Sequence, residues 1–510
     1  MPPERVRASG RNLKVSLAGH LGVVVFNFIT RRMFLGLLGS ECTGFAGLCA
    51  HILNLLSLLE PGFDAACTFY LYKPLAREDY ELASQIARYL RSVYIKICLL
   101  TVAVGVLLSP VALALSGDGL ETEFALAVYW LILAEGAMSF LLTHRRILPF
   151  ADQKGYVVTG YGYVTFILSR FVQLAVLLYS RNYIAYLFSG IIAGLVGELA
   201  LYKKIGRMYP LLKAKSRPPE TEHRNAIKSK VRSLFFCKVG SILCSSTDNM
   251  AVFAFLGLSA GAEYSNYTML TGTCLAFVAI TTGAVSASVG NLGATSGSAR
   301  MKKVFGTVYF AVFVLASFFA QALFFACPMI VGAWVGADMI LPTITTALFC
   351  LQMLVSSVRK PVGVFLDGFG LFEKEKYKSL AEGGITLVAT LVLAPRYGIA
   401  GVVLGQLCAS LGFSFFFEAY ILYRYGFGAG FSEFLRTSVK YCSAFFLSLG
   451  LSAVIFTVFG GHFHGISGIV FALAECGFSV GAVFSVLFFD CECFRQSGRY
   501  FRKMMGSADG

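Results

Sequence analysis

Charge is scarce in this sequence. Asp, Glu, Lys and Arg make up 14% of its 510 residues, while 57% are hydrophobic. A water-soluble domain of that length needs far more polar surface, so a soluble protein is excluded. Acids are scarcer than bases, 28 against 43, giving a formal net charge of +15. Apolar and polar residues do not alternate in segments of ~10, which excludes an outer-membrane barrel. There is no P-loop and no H-E-x-x-H zinc signature. Any transport must therefore draw on an ion gradient, the membrane potential, or substrate supply and removal. The 14 cysteines include no C-x-x-C, and only Cys491 and Cys493 are close. Buried packing fits them better than metal or redox work. No A-x-A-like site closes the first apolar core, so no cleavable leader is expected.

Long apolar runs are what the chain does have. A spanning helix needs about 20 such residues. By length and flanks, about fourteen spans are expected. Six fall near 15–36, 44–71, 93–115, 124–142, 155–178 and 182–202. Eight fall near 233–256, 264–292, 304–333, 339–366, 379–397, 400–422, 437–458 and 465–489. The expected class is an all-α integral membrane protein.

Basic residues crowd alternate loops. One set holds Lys73, Arg77, Arg88 and Arg91, then Arg145, Arg146 and Lys154, and it continues through Lys302, Lys374 and Arg424 to Arg499 in the tail. The other set is nearly bare. By the positive-inside rule both termini are expected in the cytoplasm, and the positive charge needs no nucleic-acid partner. Arg31-Arg32, at the outer end of the first span, breaks the pattern. A cavity lip for anionic groups or local anchoring would each explain it.

The longest polar stretch is 203–232, with Pro218-Pro219 and many bases. Its composition argues against a packed core. It is expected to link an N-lobe, 1–202, to a C-lobe, 233–425, with two further spans and a tail at 426–510. The halves echo each other. Leu38-Gly39-Ser40-Glu41 follows the first span of one, and Leu256-Gly257 with Glu263-Tyr264 follows the first of the other. Such repeats are a common transporter construction.

Four stretches carry a family resemblance. The first runs Leu37-Leu38-Gly39-Ser40-Glu41-Cys42-Thr43-Gly44-Phe45, with Glu60-Pro61-Gly62-Phe63-Asp64 and Leu71-Tyr72-Lys73-Pro74 beyond it. The second is Ala151-Asp152-Gln153-Lys154-Gly155-Tyr156. The third is Ser246-Thr247-Asp248-Asn249 with Gly261-Ala262-Glu263-Tyr264. The fourth is Arg359-Lys360-Pro361 with Tyr397-Gly398-Ile399-Ala400-Gly401. In this order the chain resembles a polysaccharide flippase of the multidrug/oligosaccharidyl-lipid/polysaccharide exporter superfamily. The resemblance implies two six-helix lobes around a central cavity, with two helices flanking. It implies alternating access that carries a polyprenyl-diphosphate-linked oligosaccharide from the inner to the outer leaflet of a bacterial cytoplasmic membrane. It implies membrane lipids and a polysaccharide polymerase or glycosyltransferase complex as partners. It leaves H⁺ or Na⁺ open as coupling ion and names no other cofactor.

Charges within spans are costly, at least ~2.5–3.5 kcal/mol each at the centre, and usually face a cavity or one another. Arg170 lies mid-span, too deep to snorkel, and its guanidinium suits diphosphate oxygens. Arg359 and Lys360 lie some two turns inside the tenth span. Lys96 and Lys238 are near enough to span ends for snorkelling to compete with function. Arg170, Arg359, Lys360 and Lys96, with Arg31 and Arg32, are the expected cavity cations. Glu60, Asp64, Glu135 and Asp248 are the expected coupling or ion-pair acids, Asp248 being favoured for coupling, with a helix-holding salt bridge as its rival. Glu475 is a further acid inside a span. Gly477–Gly481, like Gly190–Gly194, has small-xxx-small spacing suited to close helix packing.

Three other functions compete. A peptidoglycan-precursor flippase shares every feature above. A cation-coupled multidrug exporter should have an acidic, aromatic cavity instead. A membrane-embedded glycosyltransferase needs a long outer loop, and none is present.

Overall fold

The computed structural model describes residues 3–60, 63–76, 79–116, 120–152, 154–210, 219, 221–295, 297–375, 377–463, 465–491 and 493–496. Among these residues all regular structure is helical. That is what a bilayer demands, because a helix satisfies its backbone hydrogen bonds internally. Ten helical stretches are long and apolar enough to cross a membrane. The expected fourteen exceeds this by four. The first two expected spans lie on either side of Gly39 within one stretch, Gly19–Leu59, and those at 233–256, 264–292 and 379–397 are not among the ten. The chain forms two compact units, Met1–Ala262 and Glu263–Gly510.

The first unit starts with α1 (Pro3–Leu56), bent at Gly39. Gly39 has φ 80° and ψ 174°, a conformation essentially restricted to glycine. A 3₁₀ turn, Ser57–Leu59, leads toward α2 (Phe63–Ala76) and interrupts the expected span at 44–71. Pro61 and Gly62, which occupy the gap, lie outside the described residues. Next come α3 (Tyr80–Ser116), α4 (Thr122–Ala151), α5 (Gly155–Ser180) and α6 (Tyr183–Met208). Asn182 caps α6, its Oδ1 accepting from the Ile184 and Ala185 amides, which tightens the turn after α5. Helix α7 (Thr221–Thr295) bends at Gly257, with φ 84° and ψ −178°.

The polar stretch behaves differently along its length. Residues 211–218 and 220 lie outside the described part. From Thr221 the chain is helical, and Ile227 and Val231 are 0% and 6% exposed. They join Leu90, Tyr94, Leu201, Ile205 and Tyr209 in one apolar cluster. The spacing of four puts both on one helix face, while Arg224 and Lys228 supply the basic character that hid this face from a reading by composition.

The second unit takes the remainder of α7, then α8 (Ser298–Trp334), α9 (Thr343–Gly368), the short α10 (Phe372–Glu375) and α11 (Lys378–Tyr397). A single span follows, Ile399–Phe427, composed of α12 (Ile399–Ala409), a π turn at Ser410–Ser414, α13 (Phe415–Ile421) and a second π turn at Leu422–Phe427. The last hairpin is α14 (Phe431–Phe459) and α15 (Gly465–Phe488). It packs on α8. Tyr309 Oη and Ser438 Oγ are 3.2 Å apart, and Gln321 Nε2 donates to Ser448 Oγ at 2.6 Å. The Phe310 ring lies against Tyr441, Phe484 and Phe488. Lipid is as apolar as leucine, so close packing and such polar bonds must hold the hairpin in place.

Candidate functional site

Two groups of intramembrane charges stand out, one in each unit. In the first unit, Arg170 projects from the middle of α5 and is half-buried. Its Nη1 donates to Tyr186 Oη at 2.5 Å and to Gln173 Oε1 at 3.1 Å. Gln173 is one turn further along α5 and Tyr186 is on α6. The guanidinium carbon lies 4.9 Å from the Phe166 ring centre, within cation–π range. Glu135, exposed on α4, is within electrostatic reach. Among the described residues its bonds run through Nη1 to neutral partners, which fix the orientation of the guanidinium without a direct carboxylate bond.

The remaining cations of the first unit have other settings. Arg31 Nη2 donates to the Ala262 carbonyl at 2.8 Å, tying α1 to α7. Arg32 and Lys96 are exposed. Glu60 accepts from Tyr94 Oη at 3.0 Å and from Lys238 Nζ at 3.1 Å, and Lys238 also donates to the Glu60 carbonyl. Lys238 thereby connects α7 to the end of the 3₁₀ turn that follows α1. Asp64, exposed in the first turn of α2, is within electrostatic reach of Glu60. Asp248 is buried on α7, 2% exposed.

The second unit holds a denser cluster. Arg359 of α9 grips Glu382 of α11 with both terminal nitrogens, at 2.6 and 2.9 Å. It also donates to Glu418 of α13, from Nε at 3.1 Å and from Nη2 at 2.7 Å. Lys378 Nζ donates to the same Glu418 oxygen, Oε1, at 2.6 Å. One arginine thus ties three helices together. Lys360, its sequence neighbour, is exposed and outside the cluster.

Gly477-Phe478-Ser479-Val480-Gly481 spells the nucleophile elbow G-x-S-x-G. An elbow needs a sharp strand-to-helix turn. Here the five residues lie inside α15, and Ser479 Oγ donates to Glu475 at 2.7 Å. They serve helix packing. Among the described residues no group of three His, Cys, Asp or Glu could hold a metal ion.

Solved structures share this arrangement of helices. An inward closed conformation of the lipid II flippase MurJ matches with a TM-score of 0.67, over 93% of this chain and 99% of its own, at 14% identity. The fold is that of MOP superfamily transporters. An inward-facing multidrug resistance MATE family transporter of that superfamily matches with a TM-score of 0.63, at 12% identity, over 78% of this chain and 96% of its own. A MOP superfamily transporter from Pyrococcus furiosus, described by a binding pocket of reversed polarity, matches with a TM-score of 0.56, at 12% identity, over 80% and 93%. No family model and no curated protein matches the sequence. At identities this low the likeness shows the fold alone, and the ten long apolar helical stretches mark a multi-pass membrane protein.

Reading by sequence overlooked Tyr186, Gln173, Glu382 and Glu418. Tyr186 and Gln173 are ordinary residues of amphipathic helices, and nothing in one sequence marks them. Glu418 had a signal: an acid after Phe415-Phe416-Phe417 in an apolar run is as expensive as the acids of the other spans.

Proposed function

We propose that this chain is a secondary transporter that flips a polyprenyl-diphosphate-linked oligosaccharide from the inner to the outer leaflet of a bacterial cytoplasmic membrane by alternating access. The observation that supports it best is Arg170. A guanidinium held mid-span by a phenol, an amide and an aromatic face, with no carboxylate bonded to it among the described residues, offers a fixed positive charge. Such a group favours an anionic ligand, and paired N–H donors suit phosphate oxygens. A transporter of organic cations would place acids there instead. Cytoplasmic termini and partnership with a polysaccharide polymerase or glycosyltransferases belong to the same reading.

A second reading, flipping of a peptidoglycan precursor, has its own support. The MurJ match extends over 93% of this chain, while the inward-facing MATE transporter covers 78%. Both readings use the same lipid diphosphate chemistry and differ in the sugar. Reconstituted protein decides between anion and cation transport. It should speed leaflet exchange of a fluorescent polyprenyl-diphosphate oligosaccharide while leaving an organic-cation dye unmoved. Uptake of the dye without exchange of the lipid would replace this proposal with drug export.

A further inference from the structure

Arg359 is an expected substrate cation, yet acids of its own unit surround it. The arrangement has a chemical logic beyond an ion pair. Two cationic groups, the Arg359 guanidinium and the Lys378 ammonium, converge on one oxygen, Glu418 Oε1, at 2.7 and 2.6 Å. The Arg359 fork takes two more oxygens, from Glu382, at 2.6 and 2.9 Å. A planar fork and an ammonium meeting around a set of oxygens form the donor set that a diphosphate takes. The carboxylates stand where phosphate oxygens would.

The two acids are not equivalent. Glu418 is held by both cations and its side chain is 5% exposed. Glu382 bonds to Arg359 only, among the described residues, and is 14% exposed. Glu418 also sits on α13, between the two π turns of its span. π turns are frequent at functional sites, and here they flank the anchored acid on both sides. Asp367 and Glu375 also lie within electrostatic reach of Lys378, so an incoming anion must compete with them as well as with Glu382.

We propose that Arg359 and Lys378 form a second anion cradle, self-occupied by Glu382 and Glu418, from which a diphosphate-type anion displaces Glu382. This rests on the anionic-substrate reading above and adds a second station to it. Glu418 stays as the anchor, and Arg359 exchanges one carboxylate for the substrate. The occupied carboxylates then also reject ligands too weakly charged to compete.

The test uses the full-length chain in detergent, with inorganic pyrophosphate and farnesyl diphosphate as separate probes in calorimetric titrations. Glu382→Gln removes the competing charge at nearly constant shape. It should bind the probe about ten- to hundredfold tighter than wild type, the value of a charge-assisted bond. Arg359→Lys in the Glu382→Gln background should remove most of that gain. A gain with both probes assigns the site to the diphosphate itself, and a gain with farnesyl diphosphate alone assigns it to the lipid-borne form. Equal binding by Glu382→Gln and wild type, or a gain that survives Arg359→Lys, overturns the cradle. If Glu382→Gln is not monodisperse, Glu382→Asp decides, because its shorter reach should loosen the grip and give a gain of the same sign. Arg170→Ala separates this inference from the parent reading. Loss of binding there without any gain at Glu382 leaves the flippase standing and removes the second station. A gain at Glu382 with Arg170→Ala unchanged does the reverse.

Discussion

Gly39 and Gly257 carry the same unusual backbone bend, φ 80° with ψ 174° and φ 84° with ψ −178°, each inside a long helix of its own. Each glycine follows a leucine and comes after the first apolar run of its half, where the sequence shows its echo. A shared conformation that other residues avoid is stronger evidence of repetition than the leucine–glycine pair alone.

A side chain at either bend should be costly. Gly39→Ala and Gly257→Ala are each expected to lower stability by about 1–3 kcal/mol, because the ψ near 180° with positive φ is a glycine region. Gly36→Ala is the control, since no heavy atom lies within 4 Å of its added carbon and its φ is not positive. Thermal unfolding followed by fluorescence-detected size exclusion should show two lowered midpoints and one unchanged.

The Lys238–Glu60 bridge should behave as a coupled pair. Lys238→Met leaves a half-buried carboxylate beside Asp64, and Glu60→Gln leaves the ammonium with a carbonyl and an amide. The double variant should lose less than the sum of the two, with a coupling of about 0.5–3 kcal/mol. Unfolding midpoints of the four proteins give this number directly. Additive losses would place the bridge outside the forces that hold α7 to the turn after α1.

How much of this was legible beforehand varied with the physics involved. Apolar length is a strong signal, so the positions of most helices and the membrane class followed from it. Gly39 and Gly257 are non-helical, so helix runs on either side of each, and the two breaks fall between the expected spans 15–36 and 44–71 and between 233–256 and 264–292. From Thr221 the polar stretch is helical, and Ile227 and Val231 at a spacing of four mark a buried face that average composition conceals. Charges were found but their partners were not. Arg170 and Arg359 both read as isolated intramembrane cations. Only packing tells that one is held by Tyr186 and Gln173 and the other by Glu382 and Glu418, which lie 23 and 59 residues away from it in sequence.

The Arg359 cluster should also be the more fragile of the two. Arg359→Ala strands the half-buried Glu382 and leaves the buried Glu418 with Lys378 alone, which should cost about 3–5 kcal/mol. Arg359→Ala is therefore expected to give little monodisperse protein, and pairing it with Glu382→Gln and Glu418→Gln should restore yield. Detergent-solubilised yield of the single and triple variants checks this.

Membrane orientation makes a separate expectation. A cysteine at position 220, in a cysteine-free background, should resist an impermeant thiol reagent added to intact cells and react once the membrane is opened. The same holds for a cysteine added at either terminus. Labelling of position 220 from outside would reverse the assigned topology.

The account turns on Arg170, and binding of a lipid diphosphate to Arg170→Ala tests it most directly. The neutral partners Tyr186 and Gln173 are left without a stranded charge, so the variant should fold, with a wild-type size-exclusion profile. Its affinity for a polyprenyl diphosphate should fall by about one to two decades, the loss of one charge-assisted bond of roughly 1.5–3 kcal/mol. Arg170→Lys should recover only part, because it keeps the charge without the planar fork. A well-folded Arg170→Ala protein that binds the lipid diphosphate as tightly as wild type would contradict the role given to Arg170 and the anionic-substrate reading built on it.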